Sequence, residues 1–295
     1  MHPFARFASL TSVAALVFAG CSSSTDAGPN ANPDGGAQGD TGTVDGDAPA
    51  SSGLAFKTYV ILGDSISDGG GQGPFFHDLL QHNDDAKYPA YAGKDLTTKY
   101  GNGLKVVKAS KGGARAVNLD AQVGGLPTSL DGPVLVTITI GGNDVTAALA
   151  TILTGGSDAK DRDAFQGYLG TALDELTKPG RFGAGVAVRV VLTNIYDPSD
   201  GTGNFVYDGK SCPGGLGFWP KGKATTPLLD PWEAVMATEA GKHPEVSLVD
   251  LRAKFDGHGV ETGLSSTWFY SDCIHPDALG HDAVRALVWD AVSKY

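Results

Sequence analysis

The sequence is short of positive charge. It has 22 lysines and arginines against 33 aspartates and glutamates, a formal net charge of −11 and a pI near 4.9. Nucleic acids and anionic membranes are bound through clustered cations, so this balance argues against both as electrostatic partners. Beyond that exclusion, the acidity mainly indicates solubility.

Two kinds of ligand site are also missing from the sequence pattern. No cluster of histidines and carboxylates has the spacing of metal ligands, so we expect no metal site. The glycine run at residues 69–71 lacks the lysine and the serine or threonine of a phosphate-binding loop.

No internal repeat is apparent. With 41% hydrophobic residues over 295 positions, the chain can form a sizeable core, most simply as one domain with an appendage.

The N-terminus has the pattern of a secretion signal over residues 1–20. His2 and Arg6 precede the apolar stretch Val13–Ala19, which is too short to cross a bilayer as a helix, and small residues follow it. The segment Phe18–Cys21 resembles a bacterial lipobox, in which cleavage before the cysteine leaves it to carry lipid. Phe18 stands where that motif usually has leucine. Ordinary signal cleavage, without lipid on Cys21, is the alternative.

Residues 21–53 predict a disordered tether. After Cys21 they consist of small and polar residues and proline, with Val44 as the only large aliphatic side chain, and cannot bury enough apolar surface to fold. The folded domain is therefore expected at 54–295. A lipid on Cys21 implies an exported protein that is anchored to the membrane only by its acyl chains and faces the periplasm or the cell surface.

The two remaining cysteines, Cys212 and Cys273, form an even pair. In an exported chain such a pair suggests a disulfide. The bridge would hold the segment around Cys212 beside the one around Cys273.

The folded part alternates short apolar runs with helical patterns. Helical spacing of apolar residues predicts helices at Asp163–Leu176 and Ala278–Val292, with Asp277 as the cap of the second, and less clearly at Tyr88–Tyr100. The predicted strands are Tyr59–Leu62, Leu104–Ala109, Val134–Ile140, Val186–Thr193 and Val246–Val249. Strands that alternate with helices predict an α/β fold, a three-layer α/β/α sandwich around a parallel sheet.

Polar and glycine-rich turns follow the first three predicted strands. Ser65 follows the first strand, Gly112 and Gly113 follow the second, and Asn143 follows the third. Ligand sites in parallel sheets lie beyond the carboxyl ends of the strands, so these residues are expected on one rim. Near the C-terminus, His275 has a carboxylate, Asp272, three residues upstream. A serine, an imidazole and a carboxylate are the groups of nucleophilic catalysis, because a hydroxyl needs a base that a carboxylate orients.

These segments together resemble the SGNH (GDSL-type) hydrolase family. GDSIS at Gly63–Ser67, the Gly112-Gly113 turn, GGND at Gly141–Asp144 and DCIHPDALGH at Asp272–His281 occur in the family's order. The resemblance covers 56–295 and implies a flavodoxin-like fold with a central parallel five-stranded sheet. It also implies a serine esterase or lipase that needs no cofactor.

Carried over to this sequence, the resemblance assigns Ser65 as the nucleophile, His275 as the base and Asp272 as the residue that orients it. The oxyanion hole would consist of the backbone N–H groups of Ser65 and Gly113 and the side-chain amide of Asn143. Gly112 remains an alternative donor to Gly113, because the asparagine common before the glycine in relatives is absent here. Asp277 and His281 fit a helix cap and a helix-surface residue better than the triad.

The long segment Asp197–Trp232 follows the fourth strand at the same rim. It is rich in glycine and proline and carries Tyr207, Phe218, Trp219 and Trp232, which favours an ordered lid or substrate wall.

The leading interpretation is a monomeric esterase for small-molecule or glycan esters, with short-acyl or carbohydrate esters preferred over long-chain lipids. The alternative is a non-catalytic surface lipoprotein that binds glycan in the same cleft. That alternative does not explain why the nucleophile, the base, the orienting acid and the oxyanion donor are all present.

Overall fold

The structure, a computed structural model, describes residues 53–295. The predicted signal segment 1–20, Cys21 and nearly all of the predicted tether lie outside the described residues. Within the described range, no helix combines the length and the apolar character that crossing a membrane requires.

A parallel five-stranded sheet forms the centre of the fold. The strands in chain order are β1 Thr58–Gly63, β2 Lys105–Lys108, β3 Val134–Thr139, β4 Val188–Thr193, β5 Val206–Tyr207, β6 Lys210–Ser211 and β7 Val246–Val249. The central sheet has the order β2-β1-β3-β4-β7, and β5 and β6 form a separate antiparallel hairpin. The predicted α/β fold with a parallel five-stranded sheet is confirmed, and each predicted strand is found within two residues of its expected ends.

Helices connect the strands. The α-helices are α1 Ser65–Asp68, α2 Phe76–Gln81, α3 Leu96–Tyr100, α4 Leu119–Gly124, α5 Gly142–Leu153, α6 Ala159–Thr177, α7 Thr226–Ala240, α8 Leu251–Phe255 and α9 Ala278–Val292. Short 3₁₀ turns occupy Pro89–Tyr91, Ala116–Asn118 and Gly214–Phe218. Helix α9 has the predicted bounds, and the Asp277 carboxylate caps it by accepting from the N–H groups of Leu279 and Gly280. Helix α6 extends the predicted helix at its N-terminal end.

The single helix predicted over Tyr88–Tyr100 is wrong. The segment breaks into a 3₁₀ turn that starts at Pro89 and the separate helix α3, which Asp95 caps by accepting from the N–H of Thr98. Between them Gly93 has a φ of 71°, a left-handed conformation that a continuous right-handed helix does not allow. A proline, a left-handed glycine and a capping aspartate therefore outweigh the weak apolar periodicity.

Two apolar clusters cover the two faces of the sheet. Val60 and Leu62 of β1 point into a cluster with α4, α6 and α7, whereas Tyr59 and Ile61 point into the other, with α2 and α9. Every residue of β1 and β3 is buried. Alternate side chains of one strand thus pack against the helices on opposite faces of the sheet. Each fully buried aliphatic side chain contributes about 1.5–3 kcal/mol to the free energy of folding. This packing holds the carboxyl ends of β1 and β3 side by side.

Candidate active site

Ser65 lies in a tight turn between β1 and α1. Asp64 caps this short helix by accepting from the N–H of Ile66 at 3.1 Å, and its carboxylate also accepts from the hydroxyl of Thr139 at 2.7 Å. Gly63 has a φ of 116°, and a Cβ at this position would overlap the carbonyl oxygen of Thr139 on β3. Only glycine lets the two strands approach this closely, and Ser65 follows at the carboxyl end of β1.

His275 and Asp272 meet Ser65 at this turn. The Nδ1 of His275 lies 2.6 Å from Oδ2 of Asp272, and its Nε2 lies 2.8 Å from Oγ of Ser65. A carboxylate can only accept, so Nδ1–H donates to Asp272, which leaves the Nε2 lone pair to accept from the Ser65 hydroxyl. The structure thus joins Ser65 by hydrogen bonds to the Asp272–His275 pair, although Ser65 and His275 are 210 residues apart in the sequence.

The Asp272 carboxylate is fixed by its own loop. Its Oδ1 accepts from the N–H groups of Ile274 at 3.0 Å and of His275 at 2.9 Å. Burial by itself would raise the pKa of Asp272, but the hydrogen bonds from the side chain and backbone of His275 and from Ile274 outweigh it. They hold the pKa below its usual value. Asp272 therefore stays ionised next to the imidazole.

A glycine turn after α1 packs against the imidazole of His275. A Cβ on Gly70 would overlap the imidazole ring, and one on Gly71 would overlap the carbonyl oxygen of Pro276. His281 donates from Nε2 to the carbonyl oxygen of Gly70 at 2.9 Å. His281 was expected on the surface of α9, and this expectation is wrong: its side chain is completely buried. Burial lowers the pKa of His281 to about 4, so it is neutral and acts as a tie between α9 and this turn.

Residues of the second and third motifs lie near Ser65. Gly112 donates its N–H to Oδ2 of Asp68 on α1 at 2.9 Å. No hydrogen bond within residues 53–295 uses the N–H of Gly113, where φ is 75°. Asn143 donates from Nδ2 to the carbonyl oxygen of Ala114 at 3.0 Å, which fixes the amide and leaves its second hydrogen for a ligand.

Asp144, next to Asn143, braces the same turn. Its carboxylate accepts from the N–H of Ala116, and burial raises its pKa to about 6. The residues that follow Gly113 are therefore held by the first turn of α5 through both Asn143 and Asp144.

Cys212 and Cys273 form a disulfide with a Cα–Cα distance of 5.8 Å. Cys273 lies between Asp272 and His275 and is completely buried. The bond ties the segment after β4 to the loop that carries the histidine. The segment around Cys212 is therefore held covalently beside the loop that carries Asp272 and His275.

The long segment after β4 is shorter than predicted. Helix α7 begins at Thr226, and Trp232 lies within it, buried against Phe165 with its Nε1–H donated to Asp158. The prediction that Trp232 belongs to a wall at the rim is wrong. Phe218 is 78% exposed, and Trp219 is the only one of the four aromatic residues that lines the cavity beside Ser65.

That cavity has a volume of about 160 Å³ and opens beside Ser65 and Asn143. Most of its wall is aliphatic or aromatic and comes from α5, the segment after β4, and α7. Apolar periodicity does not predict α5 or α7, so apart from Asn143 the sequence gives no sign of the cavity residues that these helices contribute. A binding cavity at the boundary between β1 and β3, where the strand order reverses, is the expected position for a doubly wound sheet.

The chain resembles known hydrolases in sequence pattern and in fold. The sequence model of the GDSL-like lipase/acylhydrolase family matches residues 61–283. No curated protein matches the chain.

Solved structures share the fold at low sequence identity. The lipase Lip_vut3 from a goat rumen metagenome is 17% identical, with a TM-score of 0.52, over 80% of this chain and 96% of that one. An acetyl xylan esterase variant from Geobacillus stearothermophilus is 18% identical, with a TM-score of 0.50, over 80% and 94%. Phospholipase A1 from Streptomyces albidoflavus is 24% identical, with a TM-score of 0.48, over 82% and 100%.

Proposed function

The chain belongs to the GDSL-like lipase/acylhydrolase family and is a carboxylic ester hydrolase, and we propose that Ser65, His275 and Asp272 carry out the hydrolysis. The observation that supports this most directly is the unbroken chain of hydrogen bonds from Asp272 through His275 to Oγ of Ser65. In this arrangement the base is already in the tautomer that accepts a proton at Nε2.

In the first half of the reaction, Oγ of Ser65 attacks the ester carbonyl carbon while Nε2 of His275 takes the hydroxyl proton. The carbonyl oxygen becomes an oxyanion, to which the N–H groups of Ser65 and Gly113 and the Asn143 amide donate. When the C–O bond to the alcohol breaks, His275 returns the proton to the leaving oxygen. Ser65 then carries the acyl group.

In the second half, water replaces the alcohol. His275 takes a proton from the water as its oxygen attacks the acyl carbon, and the same donors stabilise the second oxyanion. Collapse releases the carboxylic acid, and the proton on His275 returns to Oγ of Ser65. Every proton transfer in this cycle runs through Nε2 of His275.

Gly113 is the better supported backbone donor of the second motif. The N–H of Gly112 is already bonded to Asp68, whereas that of Gly113 has no partner within the described part of the chain. The two glycines thus have separate tasks: one anchors the turn and the other faces the oxyanion.

The proposal is tested on the full chain with a fluorophosphonate probe and with p-nitrophenyl butyrate. An activated serine is labelled by the probe and hydrolyses the ester. Ser65→Ala should abolish both signals. Ser265→Ala removes an exposed serine hydroxyl outside the site and should change neither. Equal labelling and rates for wild type and Ser65→Ala would refute the assignment and favour a non-catalytic glycan-binding protein.

For the substrate, we propose esters with a short acyl group, on a small alcohol or on a carbohydrate. The cavity beside Ser65 is small, which supports a short acyl group over a long lipid chain. Of the four aromatic residues named in the predicted substrate wall, only Trp219 reaches the cavity, which Tyr196 and Phe205 also line. The support for stacking on a sugar is therefore weaker than the support for a short acyl group.

We also propose that Cys21 carries a lipid and anchors the enzyme after export. This rests on the sequence pattern of residues 1–21. Expression of the full chain in a bacterial host should place it in the detergent-soluble membrane fraction, and Cys21→Ser should move it to the aqueous fraction. An unchanged membrane fraction for the variant would rule out the anchor.

A further inference from the structure

The cavity beside Ser65 lies on one particular side of the nucleophile. Ser65 and Asn143 line it, whereas His275 does not. The base must return its proton to the leaving alcohol, so the alcohol has to sit on the side of His275. The carbonyl oxygen faces Asn143. The only ester substituent left for the cavity is therefore the acyl chain.

The cavity wall has little to offer a sugar. Among its polar side chains, Asn194 donates to Asp250 and accepts from the N–H of Arg252. The Asp197 carboxylate accepts from Ser199, from the N–H of Gly201 and from the hydroxyl of Thr225. Hydroxyl groups of a ligand would find these polar groups already bonded within the protein, and would lose their own hydration without replacement.

Apolar side chains form most of the rest of the wall. Val145 and Leu149 come from α5, Leu228 from α7, and Leu216 and Trp219 from the segment that the Cys212–Cys273 disulfide ties to the histidine loop. Leu228 is only partly buried although it contacts both core clusters, which places part of its surface in the cavity.

We infer that this cavity selects the acyl group of the ester and takes a straight chain of about six carbons, since an apolar protein cavity of about 150 Å³ holds a six-carbon ligand such as benzene. The inference rests on the proposed role of Ser65 and goes beyond it by giving the substrate a chain length. An acetyl group would leave most of the 160 Å³ unfilled, and a long lipid chain would not fit inside it.

Each methylene that enters the cavity should raise kcat/KM roughly fourfold, because burying one stabilises the bound state by the corresponding transfer free energy. The test measures kcat/KM of the full chain for p-nitrophenyl esters from acetate to palmitate. We expect a rise to a maximum near hexanoate, followed by a fall. A maximum at acetate or at palmitate would overturn the inference.

Variants of Leu228 test whether this cavity sets the length. Leu228→Trp fills part of the space and should move the maximum to a shorter chain while acetate is still hydrolysed. Leu228→Ala enlarges the space and should move it to a longer chain. Leu264→Trp makes the same change at a residue that is 60% exposed and outside the cavity, and should leave the profile unchanged.

The outcomes separate the inference from the proposed function. If no ester is hydrolysed in a Ser65-dependent way, the proposed function fails and the length profile with it. If hydrolysis depends on Ser65 but both Leu228 variants keep the wild-type profile, the catalytic assignment stands and the acyl-cavity inference is refuted. Faster hydrolysis of acetylated xylan than of hexanoate esters would also refute it.

Discussion

The carboxylate of Asp68 accepts the N–H of Gly112 at 2.9 Å, and so ties the turn of the second motif to the helix that begins with Ser65. A Cβ on Gly112 would lie 4.0 Å from Cβ of Ser65, which shows how closely this turn approaches the nucleophile. The bond occupies the amide of Gly112, whereas the amide of Gly113 has no hydrogen-bond partner among the described residues. In the mechanism that we propose, Asp68 therefore acts as a positioning residue for the oxyanion donor Gly113.

Removal of this acceptor should weaken catalysis without affecting the triad. We expect Asp68→Ala to lower kcat by about tenfold, less than the 10²–10³ lost with an entire oxyanion donor, and to leave KM nearly unchanged. Asp68→Asn keeps an acceptor oxygen and should restore most of the rate. Asp163→Ala, at an exposed aspartate on α6, is the control. Steady-state kinetics test this, and equal losses for the Ala and Asn variants would contradict it.

Asp272→Asn should lower kcat by about 10³–10⁴. The asparagine can still accept from the backbone N–H groups with Oδ1, but its NH₂ group would face Nδ1 of His275 and drive the imidazole proton to Nε2. Nε2 could then no longer take the Ser65 proton. Circular dichroism should show an unchanged fold. A loss below tenfold in a folded variant would show that Asp272 does not set the tautomer.

Activity should fall on the acid side of neutrality. A protonated imidazole cannot accept the Ser65 proton, so protonation of His275 should stop the reaction. The pKa of Asp272 lies below its usual value, so this carboxylate stays charged in weak acid. A pH profile of kcat/KM should therefore fall on its acid side with the loss of one proton-accepting group. An acid side that shows no loss of activity down to the pH at which the protein unfolds would contradict the role of His275.

Asp64 should make the fold less stable as the pH rises. Burial raises its pKa from 3.8 to about 6, so the folded state holds a proton that the unfolded state releases. The contribution to stability is present below about pH 4 and is lost as the pH rises through about 6, a difference of about 3 kcal/mol.

Asp64→Asn removes this titration and keeps the oxygen that accepts from Ile66 and Thr139. Urea unfolding should show the variant gaining stability relative to wild type at pH 8 but not at pH 4, whereas the exposed Asp163→Asn should give the same difference at both. A pH-independent effect of Asp64→Asn would count against the raised pKa.

Loss of the disulfide should cost stability. The bond closes a loop over a sequence separation of 61 residues, for which chain entropy corresponds to about 4 kcal/mol. The double variant Cys212→Ala/Cys273→Ala should therefore melt roughly 8–16 °C lower. A calorimetric Tm measures this directly. A Tm within about 2 °C of wild type would show that the bond contributes little beyond the packing around it.

Much of the fold follows from local pattern. The strand runs are rich in Val and Ile because both faces of the sheet are covered, and their limits could be predicted within two residues. The bounds of α9 are predictable because an apolar stripe and the Asp277 cap agree. Apolar periodicity fails over Tyr88–Tyr100 because Pro89 and the left-handed Gly93 interrupt the helix.

His281 and Trp232 show what local pattern cannot decide. Each lies on a helix, and its burial depends on which element packs against that helix. His281 is covered by the glycine turn after α1, more than 200 residues away in sequence, and Trp232 by α6. No spacing within their own segments carries that information, because burial is set by contacts between distant parts of the chain.

The residues of the proposed site could be predicted from the sequence alone. A serine, a histidine and an aspartate occur in motifs with glycine turns, and the position of these motifs after successive strands predicts that they share one rim of the sheet. The sequence could not predict which glycine amide is already hydrogen-bonded or which cavity lies beside Ser65. Those depend on angstrom-scale contacts, such as Asp68 with Gly112, and on a cavity wall assembled from α5, α7 and a disulfide-tied segment that lie far apart in the chain.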